Sequence, residues 1–208
     1  MNIKNIVLCT GLLLLPTFAI HVYGETAGTI GVSSDYFWRG DSQNAGNPAL
    51  SGGAEFTKDA FTVGIWGSEV DYGDDASVEY DLYASYALPV TDNVLITGGI
   101  IQYNWDTGYE TVNEFFGIAT YKNINASYYV DMDNSDNAYF ETSVGIPFVD
   151  VVDVSIGYGE TKSGNSHTFL QISKNLGNYT LGLMHHEGSK YGSNPTDMSA
   201  LTLVYNFY

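Results

Sequence analysis

Val78-Glu79-Tyr80-Asp81-Leu82-Tyr83-Ala84-Ser85-Tyr86-Ala87-Leu88 sorts its residues by parity. Val78, Tyr80, Leu82, Ala84, Tyr86 and Leu88 share one face, while Glu79, Asp81, Tyr83 and Ser85 share the other. Side chains alternate along an extended strand, whereas a helix brings every third or fourth residue to one side. The segment therefore reads as a strand between an apolar and a polar medium. Ile124 to Met132 repeats the pattern: Ile124, Ala126, Tyr128, Val130 and Met132 oppose Asn125, Ser127, Tyr129 and Asp131. Val152, Val154, Ile156 and Tyr158 likewise oppose Asp153, Ser155 and Gly157.

From Thr26 onward about twelve such segments of about ten residues follow one another, a length suited to tilted strands that cross a bilayer. Their connectors alternate in length. Lys58-Asp59, Pro89 to Asn93, Lys122-Asn123, Pro147 to Asp150 and Asn175 to Asn178 are short. Gly40 to Asn47, Asp71 to Ser77, Asp106 to Thr111, Asp133 to Asn137, Glu160 to Ser166 and Gly188 to Thr196 are longer and mostly acidic. A soluble sandwich has no reason to sort its loops in this way. An outer-membrane barrel does, with short periplasmic turns, longer outer loops and both ends of an even-stranded chain in the periplasm. The expected fold is all-β, a transmembrane antiparallel up-and-down barrel of about twelve strands.

The two ends of the chain fit this expectation. Met1 to Gly24 carries Lys4, the apolar run Ile6 to Ile20 and then Val22-Tyr23-Gly24, the form of a secretory signal peptide, too short for a spanning helix. The barrel domain is then residues 25–208. Cys9 lies in the leader, so the exported chain has no thiol to be oxidised. At the other end Leu201, Leu203, Tyr205 and Phe207 share a face. An edge so apolar would template aggregation unless it closes on the first strand. Tyr205, Phe207 and Tyr208 are expected to form the signal read by the outer-membrane assembly machinery.

Composition excludes several functions. A net charge of −17, from 7 Lys and Arg against 24 Asp and Glu, makes nucleic acid and anionic membrane surfaces poor partners. An aromatic content of 14% argues against a disordered acidic chain.

A more specific resemblance lies near the start. Val32-Ser33-Ser34-Asp35-Tyr36-Phe37-Trp38-Arg39-Gly40-Asp41-Ser42-Gln43, then Pro48-Ala49-Leu50-Ser51-Gly52-Gly53 and Gly64-Ile65-Trp66-Gly67-Ser68-Glu69-Val70-Asp71, resembles the TorF family of porin-like proteins, also described as the Gcw_chp group of proteobacterial proteins. The chain departs from that pattern at Asp41, usually apolar, at Glu69, usually Asn, and in ending on Tyr208 after Phe207. The resemblance implies a porin in the outer membrane of a Gram-negative bacterium, with no assigned substrate.

Twelve strands lie between eight, where side chains nearly fill a barrel, and sixteen, where an aqueous channel opens, so a narrow lumen is expected. Parity directs Asp35, Glu55, Glu79, Asp81, Asp131 and Asp153 into it, with Arg39 as the sole arginine and Phe37, Tyr83 and Tyr129 narrowing the space. A confined ring of carboxylates excludes anions and concentrates cations. The expected function is passive passage of small, preferably cationic solutes, with outer-membrane lipid and lipopolysaccharide around the barrel. A non-conducting structural or loop-binding barrel is the alternative, and a hydrolase at the outer rim a more distant one. His167 and His186 are both directed inward near that rim, whereas His185 points the other way. Asp131-Met132-Asp133-Asn134-Ser135-Asp136 imitates the start of a calcium loop but has Asp136 at the glycine position and Thr142 at the bidentate position. No phosphate-cradling loop, zinc cluster or nucleophile elbow occurs, so no cofactor, metal or catalytic residue is expected.

Overall fold

The computed structural model describes residues 25–146, 151–188 and 197–207. The segment read as a signal peptide, the expected turn Pro147 to Asp150, most of the loop Gly188 to Thr196 and Tyr208 lie outside them. Twelve strands close one antiparallel barrel: β1 (Glu25–Ser33), β4 (Ala49–Lys58), β5 (Phe61–Glu69), β6 (Val78–Thr91), β7 (Val94–Trp105), β8 (Val112–Tyr121), β9 (Ile124–Asp131), β10 (Ala138–Ile146), β11 (Asp153–Thr161), β12 (Ser166–Leu176), β13 (Tyr179–Gly188) and β14 (Asp197–Phe207). Each pairs with its sequence neighbours, and β14 closes on β1 with Val32 opposite Leu203 and Gly28 opposite Phe207. Closure leaves no free sheet edge, the condition for strands to stand in hydrocarbon.

The two faces obey the parity of the sequence. Ile30, Leu50, Tyr86, Phe115 and Leu201 stand outward with about half of their surface uncovered, Leu201 at 58%. So much exposed apolar surface on the outer face of one barrel fits lipid rather than water. Inward, the half of the barrel nearer the short turns is lined by small polar side chains, Thr62, Ser85, Thr97, Thr120, Asn125 and Ser143, all buried. The half nearer the long loops is lined by aromatic rings and carboxylates, among them Trp66, Tyr83, Tyr103, Tyr129, Tyr139, Glu79, Asp81, Glu114 and Glu141.

The turns bear out the sorted connectors with small shifts of position. Asp59-Ala60, Asp92-Asn93, Lys122-Asn123 and Gly177-Asn178 join their strands in two residues, and Asp59, Lys122 and Gly177 adopt the positive φ that such tight turns use. The one large departure follows β1. The sequence reading carries the first strand on to Arg39, before the connector that begins at Gly40, but β1 ends at Ser33. Beyond it a two-stranded hairpin, β2 (Phe37–Trp38) and β3 (Asp41–Ser42), forms a separate small sheet. Its loop is Arg39-Gly40, with φ of 50° and 83°, as a type I′ turn requires. Arg39 is a non-glycine residue in left-handed backbone, a conformation that costs about 1 kcal/mol or more and persists only where its surroundings hold it.

Candidate functional site

The hairpin folds into the lumen from the loop end. Tyr36 and Phe37 are each only 1% exposed. Tyr36 packs on Trp66 at 5.3 Å between ring centres, and its hydroxyl donates to Glu79. Trp38 meets the edge of Tyr103 at 5.9 Å, and Phe37 meets His186 at 5.2 Å in a T-shaped contact, with Met198 and Ala200 in the same cluster. Gly40 lies against the ring of His167, where a β-carbon would fall 2.6 Å from Cγ. The hairpin thus touches walls on opposite sides of the barrel.

Arg39 is its polar anchor. Its guanidinium donates from Nη1 to Oε1 of Glu114 at 2.9 Å and from Nη2 to Oε2 at 2.6 Å. The Tyr103 hydroxyl donates to the same Oε2 at 3.0 Å. Cζ lies 4.3 Å from the ring centre of Trp38, 4.9 Å from Tyr129 and 4.6 Å from Tyr139. A two-pronged ion pair among aromatic faces, with side-chain exposures of 9% and 1%, is shielded from water and from salt.

The other carboxylates differ in how they are satisfied. Glu79 accepts from the hydroxyls of Tyr36 and Tyr72 at 3.1 and 2.9 Å and from the Trp105 indole at 3.2 Å. Glu55, nearer the turn end, accepts from Tyr83 at 3.3 Å beside a small cavity lined by Ala27, Gly53, Trp66 and Tyr83. Asp81 is wholly buried, and neither of its oxygens has a hydrogen-bond partner among the described residues.

On the opposite wall four side chains form a relay. Tyr139 donates to Oε2 of Glu141 at 2.7 Å and bonds Nε2 of His167 at 2.9 Å; Nδ1 of His167 lies 3.1 Å from Nδ1 of His186. With both rings neutral, the single tyrosine proton goes to the carboxylate, so His167 donates from Nε2 and accepts at Nδ1 from His186. Nε2 of His186 is then left with a lone pair and no partner among the described residues.

Of the residues singled out from sequence, Arg39, Glu55, Glu79, Asp81, Tyr83 and Tyr129 are directed into the lumen, and Asp35 is buried at the base of the hairpin, accepting from Ser42 at 2.9 Å. Asp131 and Asp153 have inward parity but lie at the two mouths. Asp131 is half-buried and accepts from the backbone N–H of Asp133 and Asn134, capping its own loop. Asp153 is exposed where β11 begins. Tyr205 and Phe207 face outward, their rings 6.3 Å apart. Glu114, Glu141, Tyr139 and the hairpin itself are functional candidates that the sequence reading passes over.

Comparison with known proteins agrees with this architecture. The KdgM porin superposes with a TM-score of 0.61 at 9% identity, over 88% of this chain and 99% of that one. A structure described under "Unveiling the Mechanism Behind the in-meso Crystallization of Membrane Proteins" gives 0.59 at 9%, over 87% and 83%. Outer membrane phospholipase A from Escherichia coli gives 0.47 at 11%, over 88% and 89%, too distant to argue from. No curated protein sequence matches the chain. The fold is that of a porin-like barrel resembling those of Gram-negative outer-membrane proteins, and the apolar exterior independently fits a lipid surround. The model of the family described as "Bacterial protein of unknown function (Gcw_chp)" matches residues 23–186, and the chain belongs to that family.

Proposed function

We propose that the protein is an outer-membrane passage for small solutes, cation-preferring, and closed in this conformation by the hairpin of β2 and β3. The observation that carries this reading is the charge of the lumen. Glu55, Glu79, Asp81, Glu114 and Glu141 are buried inside it, and Arg39 is the one permanently charged cation directed inward among the described residues. Lys58 and Lys122 sit at the short turns, Lys174 is exposed near the turn end of β12, and Lys162 is in a long loop. Field lines from carboxylates in a low-dielectric confine concentrate cations and repel anions. When the hairpin leaves, it takes the neutralising arginine with it, and the acidic wall is exposed in full.

The filled lumen supports a second reading, a barrel that never conducts. Reconstitution in planar bilayers separates the two. Under a salt gradient the barrel with Tyr36–Ser42 replaced by a short glycine linker should show channel steps with a cation-selective reversal potential, and the wild type should conduct rarely. Anion selectivity would sink the proposal, and silence of both proteins would establish the structural reading. A hydrolase at the rim is disfavoured by the relay itself, because Nε2 of His186 bonds no hydroxyl or thiol nucleophile among the described residues. We further assign lipid and lipopolysaccharide as the barrel's surroundings, and Tyr205 and Phe207 as contacts of the assembly machinery.

A further inference from the structure

The wall that receives Arg39 belongs almost entirely to the barrel. Tyr103, Glu114, Tyr129 and Tyr139 stand on β7, β8, β9 and β10, four successive strands, and Tyr129 is directly opposite Tyr139 in the ladder. Strand pairing therefore fixes their spacing whether or not the hairpin is docked. Trp38 alone is supplied by the hairpin. What remains without it is a carboxylate with two oxygens presented side by side, one of them oriented by the Tyr103 hydroxyl, flanked by two aromatic faces. A flat fork of N–H donors satisfies both oxygens at once and lays its plane on the rings; a spherical cation or an ammonium does only part of this.

We infer that this wall is a binding site for guanidinium-bearing solutes, which Arg39 occupies as a tethered ligand in the closed barrel. The inference rests on reading the barrel as a solute passage: a free guanidinium that takes the place of Arg39 is both the cargo and the competitor of the plug. Arg39 reaches the site through left-handed backbone, so its occupancy carries a conformational cost that a free ligand does not bear. Tethering acts in the other direction, since a linked group competes at an effective concentration far above that of a dilute solute. Wild type therefore responds only to concentrated guanidinium, and the site becomes fully accessible when Arg39 is cut back.

The test uses the full chain refolded in detergent, with tryptophan fluorescence as the readout, because Trp38 lies at the site. R39A is titrated with methylguanidinium chloride against sodium chloride at equal ionic strength. The expected result is a saturable change with methylguanidinium and none with sodium. In R39A/E114Q the apparent affinity should fall about tenfold or more, the size of a charged hydrogen bond. Wild type should need roughly 100-fold more ligand than R39A. If R39A does not refold, its folding yield becomes the readout, and methylguanidinium in the refolding buffer should restore it where sodium does not. Equal responses to the two salts, or no response in fluorescence or yield, would overturn the inference. Neither readout requires conduction, so a barrel that binds methylguanidinium yet stays silent in a bilayer would remove the passage reading and leave the site.

Discussion

Two ion pairs of nearly equal length occupy opposite environments in this molecule. Arg39 and Glu114 meet at 2.6 Å inside the barrel with side-chain exposures of 9% and 1%. Lys162 and Asp136 meet at 2.5 Å between two outer loops with exposures of 53% and 84%. Distance is therefore not what distinguishes them. The inner pair has exchanged water for a second carboxylate contact, a tyrosine hydroxyl and three aromatic faces, so each partner depends on the other for its solvation. The outer pair keeps its water, and each partner is content alone. The lesson is that the inner pair holds an element in place, whereas the outer one decorates a surface.

Removing one partner from each pair is the most direct way to break this contrast. Glu114→Ala should be the largest single effect, because it strands the Arg39 charge in a poorly solvated site; loss of one member of a buried pair costs about 3–5 kcal/mol. The hairpin is then expected to undock. Hydrogen exchange at the Gln43 amide, which bonds the Tyr36 carbonyl across the hairpin at 2.7 Å, should quicken by roughly two to three orders of magnitude. Unchanged protection at that amide would mean that the aromatic contacts alone hold the hairpin. Arg39→Lys comes next. It keeps the charge but not the fork, so one of two charged hydrogen bonds is lost, about 1.5–3 kcal/mol. The same amide should report an intermediate loss, and a value equal to wild type would show that charge without shape suffices.

How far the sequence revealed this contrast depends on where alternation is clean. In the central residues of β6 and β9 the aliphatic side chains keep to one face and the acids, Ser and Asn to the other, so parity directs Glu79, Asp81, Tyr83 and Tyr129 to the face that the structure buries. In β8 the faces are equally apolar: Phe115 and Tyr121 stand outward, while Phe116 and Ile118 are buried inward. In β10 Tyr139 is buried and Phe140 exposed, again a pair that parity cannot order. Glu114 and Glu141 were hidden by this ambiguity, because an aromatic lumen erases the difference between its two sides. The hairpin was hidden by another cause. Tyr36-Phe37-Trp38 continues β1 as a plausible strand, and only the Arg39-Gly40 pair, flanked by residues able to form a ladder, carries the turn signal. The barrel could be read from period two; its plug required the backbone.

The smallest expected effects belong to the outer pair, and they test the contrast from the other side. Asp136→Asn should leave hairpin protection and barrel stability unchanged within error, since an exposed pair is screened and flexible. Titration gives the finer comparison. The Lys162 ammonium hydrogen-bonded to Asp136 holds that carboxyl below its ordinary range, and at the neighbouring loop junction Asp106 is brought down to about 2 by the Ser77 hydroxyl and backbone N–H. Both groups have depressed values when folded, so their contributions are fully present above the ordinary carboxylate range and fade as the pH falls through the folded value. Carboxyl NMR shifts in detergent should give a midpoint near 2 for Asp106, rising in Ser77→Ala. Added salt should separate the two loop sites, because it weakens an attraction between charges far more than it weakens hydrogen bonds from a neutral hydroxyl and amide. Asp136 should then move up towards the ordinary carboxylate value while Asp106 stays nearly fixed. If Asp136 resists salt as Asp106 does, its partner is held by loop geometry rather than by charge, and exposure would no longer explain why the inner and outer pairs differ.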